Sequence, residues 1–231
     1  HRGDVRLRRA IGIGLLLLVG LLVIRPAEAD ILCKWFGQCL YESPGFRIAI
    51  VDRETGQPLA DVDALAEWVQ YDYHGTGGPL MDQHAVSGPD GLLAFPPWGP
   101  IRGSTAGLAV GYDPFVSLFK PGYKVYETNN RGGPLDERAR VRGFGGDGQI
   151  YFLEPFRGTP EEWVEQLRKA AYPARAGGTS KEQAWQFRDQ YLNRMRRVWS
   201  ERDKVPQRYQ KEGQLLWHIE RDIKLYEGGA R

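Results

Sequence analysis

Cysteine, histidine and methionine are scarce in this 231-residue chain, at two, four and two residues. Cys33 and Cys39, six positions apart and without neighbouring histidines, do not make a zinc site. An excess of charge of one sign is also missing. Lys and Arg number 31 against 29 Asp and Glu, a formal net charge of +2, so no global field selects a polyanionic partner. There is no glycine-rich phosphate loop, no H-E-x-x-H, no G-x-S-x-G and no repeated cysteine pair. Nucleotide hydrolysis, zinc proteolysis and serine-nucleophile chemistry therefore have no motif to stand on. Long hydrophobic runs are limited to one.

That run, residues 10–24, is uncharged and mostly apolar, with Arg2, Arg6, Arg8 and Arg9 before it and Ala27-Glu28-Ala29 after it. A basic segment, an apolar segment and an A-x-A site describe a secretory signal peptide over 1–29. The run is shorter than the roughly 20 residues that span a bilayer comfortably, and Arg25 and Pro26 stop it from lengthening. An uncleaved apolar helix, tilted or with snorkelling arginines, is the alternative and makes the segment a membrane anchor. Both readings place the rest of the chain outside the cytoplasm, periplasmic or anchored to the inner membrane. In that compartment Cys33 and Cys39 are expected to form a disulfide around Trp35 and Phe36, pinning a lead-in over 30–44. Nucleic acid is a poor partner there, and Glu182, Asp189, Glu201 and Asp203 intersperse the C-terminal basic residues.

Residues 46–98 carry the fold signal. Phe46-Arg47-Ile48-Ala49-Ile50-Val51 alternates as a half-buried strand does. Asp52-Arg53-Glu54-Thr55-Gly56-Gln57-Pro58-Leu59 follows as a turn, then a second strand from Val62. On that strand Val62, Ala64, Ala66 and Trp68 make an apolar face, and Asp63, Leu65, Glu67 and Val69 a mixed one. Asp90-Gly91 has the chemistry of a tight hairpin. Further strands are predicted over 115–120, before the turn Pro121-Gly122-Tyr123, and over 149–154. Glycine-rich loops are expected over 71–82 and 129–148. The strand, the Thr-Gly-x-Pro-Leu turn, the second strand and the Asp-Gly turn together resemble the carboxypeptidase regulatory-like domain. That resemblance implies a mainly β, transthyretin-like (Ig-like) antiparallel sandwich over 45–155. Its modules are accessory, so it implies no peptidase.

From residue 156 the apolar period changes from two to about 3.6, predicting a helical C-terminal region over 156–231. Thr159, Pro160, Glu161 and Glu162 predict a capped helix start. Thr179 with Glu182 predicts a capping box for a second helix reaching about residue 203. Leu216, Ile219, Ile223 and Tyr226 line one side of a third. These helices need a partner to be stable, and the sandwich is the nearest one.

Three sets of residues are candidates for function. Arg194, Arg196 and Arg197 make the second helix basic and suit a partner surface. Tyr73 and Trp98, beside Gly and Pro, suit stacking on a glycan. His74, Asp82 and His84 supply three metal-ligating side chains. The expectation as a whole is a non-enzymatic cell-envelope binding or assembly module without a cofactor. A carbohydrate-binding accessory module is the alternative, and a metal-dependent enzyme a distant third.

Overall fold

Side-chain alternation becomes strand wherever one face has an apolar surface to meet. The computed structural model describes residues 38–72, 75–104, 113–130, 141–172 and 187–228. Among them run nine strands: β1 (Gln38–Ser43), β2 (Phe46–Asp52), β3 (Asp63–Asp72), β4 (Gly75–Val86), β5 (Leu92–Phe95), β6 (Trp98–Ser104), β7 (Phe115–Phe119), β8 (Tyr126–Thr128) and β9 (Ile150–Leu153). Three α-helices follow: α1 (Pro160–Ala171), α2 (Arg188–Trp199) and α3 (Leu215–Glu227). The described residues are mainly sheet, with the described helices following the last strand.

The strands divide into three sheets, of order β1-β6, β5-β2-β9 and β4-β3-β7-β8. Ile48, Ile50, Leu93, Phe95 and Leu153 from the three-stranded sheet share one core with Ala64, Ala66, Trp68, Val116 and Leu118 from the four-stranded sheet. Cys39, Tyr41 and Trp98 of the β1-β6 pair join it. The expectation of a wholly antiparallel arrangement needs one correction: β2 and β9 pair in parallel, Ala49 opposite Ile150 and Asp52 opposite Leu153. The intervening hundred or so residues supply the long crossover that a parallel pair requires.

The turn after β2 is built as its residues dictate. Asp52 Oδ1 accepts from the backbone N–H of Glu54 and Thr55, both at 2.8 Å, and Gly56 takes φ +70°. Tyr123 donates its hydroxyl to Asp52 Oδ2 at 2.7 Å, tying this turn to the one after β7. That bond holds the Asp52 carboxyl below its ordinary pKa and pushes the Tyr123 phenol up to about 12.

Two further expectations change. Asp90-Gly91 is a turn with Gly91 at φ +72°, but its arms do not pair with each other. The strand before it, β4, belongs to the four-stranded sheet, whereas β5 pairs with β2, so the turn carries the chain from one sheet to the other. Also, most of the glycine-rich stretch expected as a loop is strand: β4 begins at Gly75 and pairs with β3, with register shifts after Trp68 and Gln70. A Cβ on Gly91 would lie 2.5 Å from the Ile50 carbonyl oxygen and 3.1 Å from the Leu59 nitrogen. Gly91→Val is therefore expected to cost about 1 kcal/mol or more in denaturant unfolding; an unchanged midpoint would contradict this turn geometry.

Thr159 caps α1 as predicted: its Oγ1 accepts from Glu162 N at 3.2 Å and Glu162 Oε2 accepts from Thr159 N at 2.7 Å. Trp163, Val164, Leu167, Leu192, Met195, Val198, Leu216, Ile219 and Ile223 form a second core, and Phe119 of β7 closes it. The helices thus cover the outer face of the four-stranded sheet. The capping box expected at Thr179 and Glu182 and the N-terminal apolar helix lie outside the described residues.

Candidate functional site

Between the four-stranded sheet and α2 lies a layer of charged side chains. Its sheet side is the face expected to be mixed, with cross-strand rows Val86–Asp63–Phe119, His84–Leu65–Ser117 and Asp82–Glu67–Phe115. Its helix side is Tyr191, Arg194 and Arg197, each three residues from the next, so that successive turns of α2 place them on neighbouring parts of one face.

Arg194 is the centre of the layer and is 1% exposed. Its Nε donates to Asp63 Oδ1. Its Nη1 donates to Ser117 Oγ and the Ala170 carbonyl, both at 3.2 Å. Nη2 donates to the Asp63 carbonyl at 3.1 Å and the Ser117 carbonyl at 2.9 Å. All five guanidinium N–H groups have an acceptor. Asp63 also accepts from His84 Nε2 at 2.6 Å and faces Arg197 Nε at 3.3 Å. Burial alone would raise the Asp63 carboxyl, but the Arg194 charge and the His84 and Arg194 hydrogen bonds outweigh it. The net direction is down from the ordinary value.

The second part of the layer has the opposite character. Glu67 and Asp82 are directly opposite on β3 and β4, both buried, and share Tyr191. Its hydroxyl lies 2.9 Å from Glu67 Oε1 and 3.0 Å from Asp82 Oδ2. Desolvation first, then the Glu67 charge, drives the Asp82 carboxyl well above its usual range. Desolvation and both carboxylates raise the Tyr191 phenol.

The structure relocates the residues singled out from the sequence. Arg194, expected on a partner-facing surface, is spent inside the molecule, because Asp63 on the mixed face of β3 needs a counter-charge once the helices dock. Arg197 serves the same carboxylate from the edge of the layer. Arg196 remains outside, paired with Glu227 at 2.8 Å. Trp98, expected as an exposed stacking platform, is 8% exposed and sits edge-on to Trp68 with ring centroids 5.3 Å apart. Pro96-Pro97 ends β5, and pairing of β6 with β1 turns the indole inward. Of the metal set, Asp82 and His84 share a face of β4, but one is bound to Tyr191 and the other to Asp63. Among the described residues no three His, Cys, Asp or Glu side chains converge as a metal site. Tyr73, His74 and Cys33 lie outside the described residues. Cys39 is buried on β1, and no described cysteine is free.

A surface that no candidate residue pointed to lies on the opposite side of the molecule. On the outer face of β5-β2-β9, Leu92, Ile150 and Phe152 are 52, 57 and 46% exposed. Leu92, Ala49 and Ile150 form one row across the three strands, and Val51 and Phe152 the next. Arg47 and Ala94 continue this face into an open cleft of about 490 Å³ bounded by Pro44, Pro96, Pro97 and Asp147. The signal was present in the outward positions of the alternating strands, Ala49 and Val51, where a solvated face would carry polar side chains.

Among the described residues no helix is long and apolar enough to cross a membrane. No protein-family model, curated protein or solved structure matches this chain.

Proposed function

We propose that this protein is a non-enzymatic binding and assembly module of the cell envelope. In this reading its sheets form a transthyretin-like sandwich that docks a partner protein on the outer face of β5-β2-β9. The observation that carries the reading is an asymmetry between the two outer faces. The helical region covers the face bearing Asp63, Glu67 and Asp82, whereas the face bearing Leu92, Ile150 and Phe152 is left to water. Folding for its own sake would favour the reverse, since burying apolar side chains gains about 25 cal/mol per Å² and burying carboxylates costs desolvation. A contiguous apolar face of this kind marks an interaction site.

The surroundings favour a protein as the occupant. Around the apolar rows stand polar and charged groups: Arg47, Asp147 (which accepts from the Arg47 N–H at 2.8 Å) and the Glu54–Arg157 ion pair at 2.6 Å. An apolar centre with a polar rim is the anatomy of a protein–protein interface. The glycan reading has Trp98 in the core and so lacks one of its two stacking residues. Export, by the basic and apolar N-terminal segment, and the Cys33–Cys39 disulfide belong to the same proposal.

The test is co-purification from gently solubilised native envelope, comparing wild type with Ile150→Glu and Phe152→Glu. Both side chains are surface-exposed, so stability should stay within about 0.5 kcal/mol of wild type. Recovery of a stoichiometric partner should fall at least tenfold in each variant, and Arg196→Glu should leave it unchanged. Equal recovery with all three, or no partner with wild type, would overturn the proposal.

A further inference from the structure

The exposed rows on β5-β2-β9 are small. They run from the Arg47–Ala94 row to the Val51–Phe152 row, about 13 Å along β2, and cross three strands, about 10 Å. A standard interface between globular proteins takes about 800 Å² a side, several times this footprint. One α-helix of two to three turns, about 10 Å across, matches it in both directions.

The edges of the sheet argue against an added strand. The Ile50 N–H donates to the Gly91 carbonyl, and the alternation that follows pairs Leu93 and Phe95 with β2 and leaves the backbone of Leu92 and Ala94 to face outward. The Leu92 N–H already donates to Asp90 Oδ1 at 3.1 Å, so little of this edge is open to a new strand. Beyond β9 the chain after β7 comes alongside. There the Lys124 N–H donates to the Glu154 carbonyl at 2.9 Å, and the Tyr126 and Tyr151 ring centroids lie 5.7 Å apart. What these three strands offer is a face, which suits a helix.

One charge on this face is unanswered. Arg47 is exposed, and its guanidinium enters no ion pair among the described residues. Asp147 is close by, but its Oδ1 takes the Arg47 backbone N–H at 2.8 Å. That bond lies along the sheet, whereas the Arg47 side chain stands out from it. The other cations near the rows have carboxylates of their own: Arg157 pairs with Glu54, Lys124 pairs with Glu154, and Arg53 stands near Glu154.

We propose that the occupant of this face is an amphipathic helix of a partner protein, laid along β2 with an acidic side chain at the Arg47 end. Its apolar side chains, at i, i+3 or i+4, and i+7, meet the exposed rows. A carboxylate over Arg47 gains a charge-assisted hydrogen bond and sets the direction of the helix. The cleft of about 490 Å³ between Pro44, Pro96 and Pro97 receives that end. The molecule uses the same mode on its other sheet, where its own helices cover β4-β3-β7-β8. This inference rests on the partner-docking reading and adds the chemistry of the partner.

Photo-crosslinking of the full chain in native envelope tests it. Benzoylphenylalanine is placed singly at Ala94 and at Phe152, and the attachment points on the captured protein are read by mass spectrometry. The two rows are about 13 Å apart along β2, so the marked residues should be about nine apart on a helix, against about four on an extended segment. Arg47 is at the surface, so Arg47→Glu should melt as wild type does. Partner recovery should nevertheless fall at least about tenfold with Arg47→Glu, and return to within about threefold of wild type when the acidic residue of the marked segment is changed to lysine. Arg53→Glu, at the far end of the face, should leave recovery within about twofold. A spacing of about four residues, equal losses with Arg47→Glu and Arg53→Glu, or full recovery with Arg47→Glu while Ile150→Glu abolishes it would each overturn the helix and leave the docking face standing. Lipid alone, or no cross-link from either position, would overturn both.

Discussion

Arg194→Ala is expected to destabilise the protein by about 3–5 kcal/mol, the range for removing one partner of a buried ion pair. The cost has two sources. Asp63 remains fully buried, with His84 and the half-exposed Arg197 as its remaining partners, and it must stay charged unpaired or take up a proton. Ser117 Oγ and the carbonyls of Asp63, Ser117 and Ala170 also lose the donor they share. For a chain of this length the loss corresponds to a fall of roughly 10 °C in melting midpoint. Arg194→Lys is not conservative here: it retains the charge but has three donors for five acceptors and lacks the planar fork. It should recover part of the loss. In a double-mutant cycle with Asp63→Ala, the double variant should be less damaged than the two single losses together, because removing both charges leaves neither stranded. Thermal and denaturant unfolding read all of these. A loss below 1 kcal/mol in Arg194→Ala would mean that the apolar helix core, not the charged layer, holds the helical region in place.

Trp68→Ala should be comparably severe, again about 3–5 kcal/mol. Trp68 is completely buried where the sheets meet; it packs edge-on against Trp98 and lies 6.2 Å from the Phe46 ring centroid. Its Nε1 donates to the Arg142 carbonyl at 3.0 Å. That bond anchors the segment after residue 140, where Arg142 in turn pairs with the buried Asp113. Truncation therefore opens a cavity and also removes the indole donor from the Arg142 carbonyl. Trp68→Phe separates the two effects, since it keeps most of the ring volume and removes only the donor. Its loss should be nearer the 1–3 kcal/mol of one unsatisfied buried group. Chemical unfolding followed by far-ultraviolet circular dichroism avoids the lost indole signal. Equal losses for the two variants would show that the hydrogen bond, not the packing, dominates.

Both predictions concern β3, where sequence and structure divide the work clearly. The apolar face of β3 was legible because alternation is a local pattern: Val62, Ala64, Ala66 and Trp68 face the core as their spacing requires. The mixed face was legible only as mixed. Asp63, Leu65, Glu67 and Val69 alternate polar with apolar side chains, and nothing within ten residues reveals that a helix 131 positions later covers them. The same holds for the candidate site. Arg194, Arg196 and Arg197 stood out as a basic cluster, but helical phase relative to the docked sheet decides which of them is buried. Asp82 and His84 stood out as ligating types, but the strand partner opposite each one decides what it binds. The positive φ of Gly91 was apparent from Asp-Gly. Whether its flanking strands paired with each other was not, because a turn's geometry does not specify the partner strand.

What the sequence determined by itself is everything that one to four residues decide: strand alternation, the glycine turns, the Asp52 turn and the capped start of α1. These follow from backbone sterics and from hydrogen bonds between near neighbours. Only the tertiary structure decided which sheet face the helices cover, that Arg194 and Tyr191 complete a charged layer with Asp63, Glu67 and Asp82, and that Leu92, Ile150 and Phe152 remain exposed. Those outcomes depend on contacts between segments far apart in the chain, where a side chain's environment is set by whatever packs against it and its own neighbours in sequence carry no record of the match.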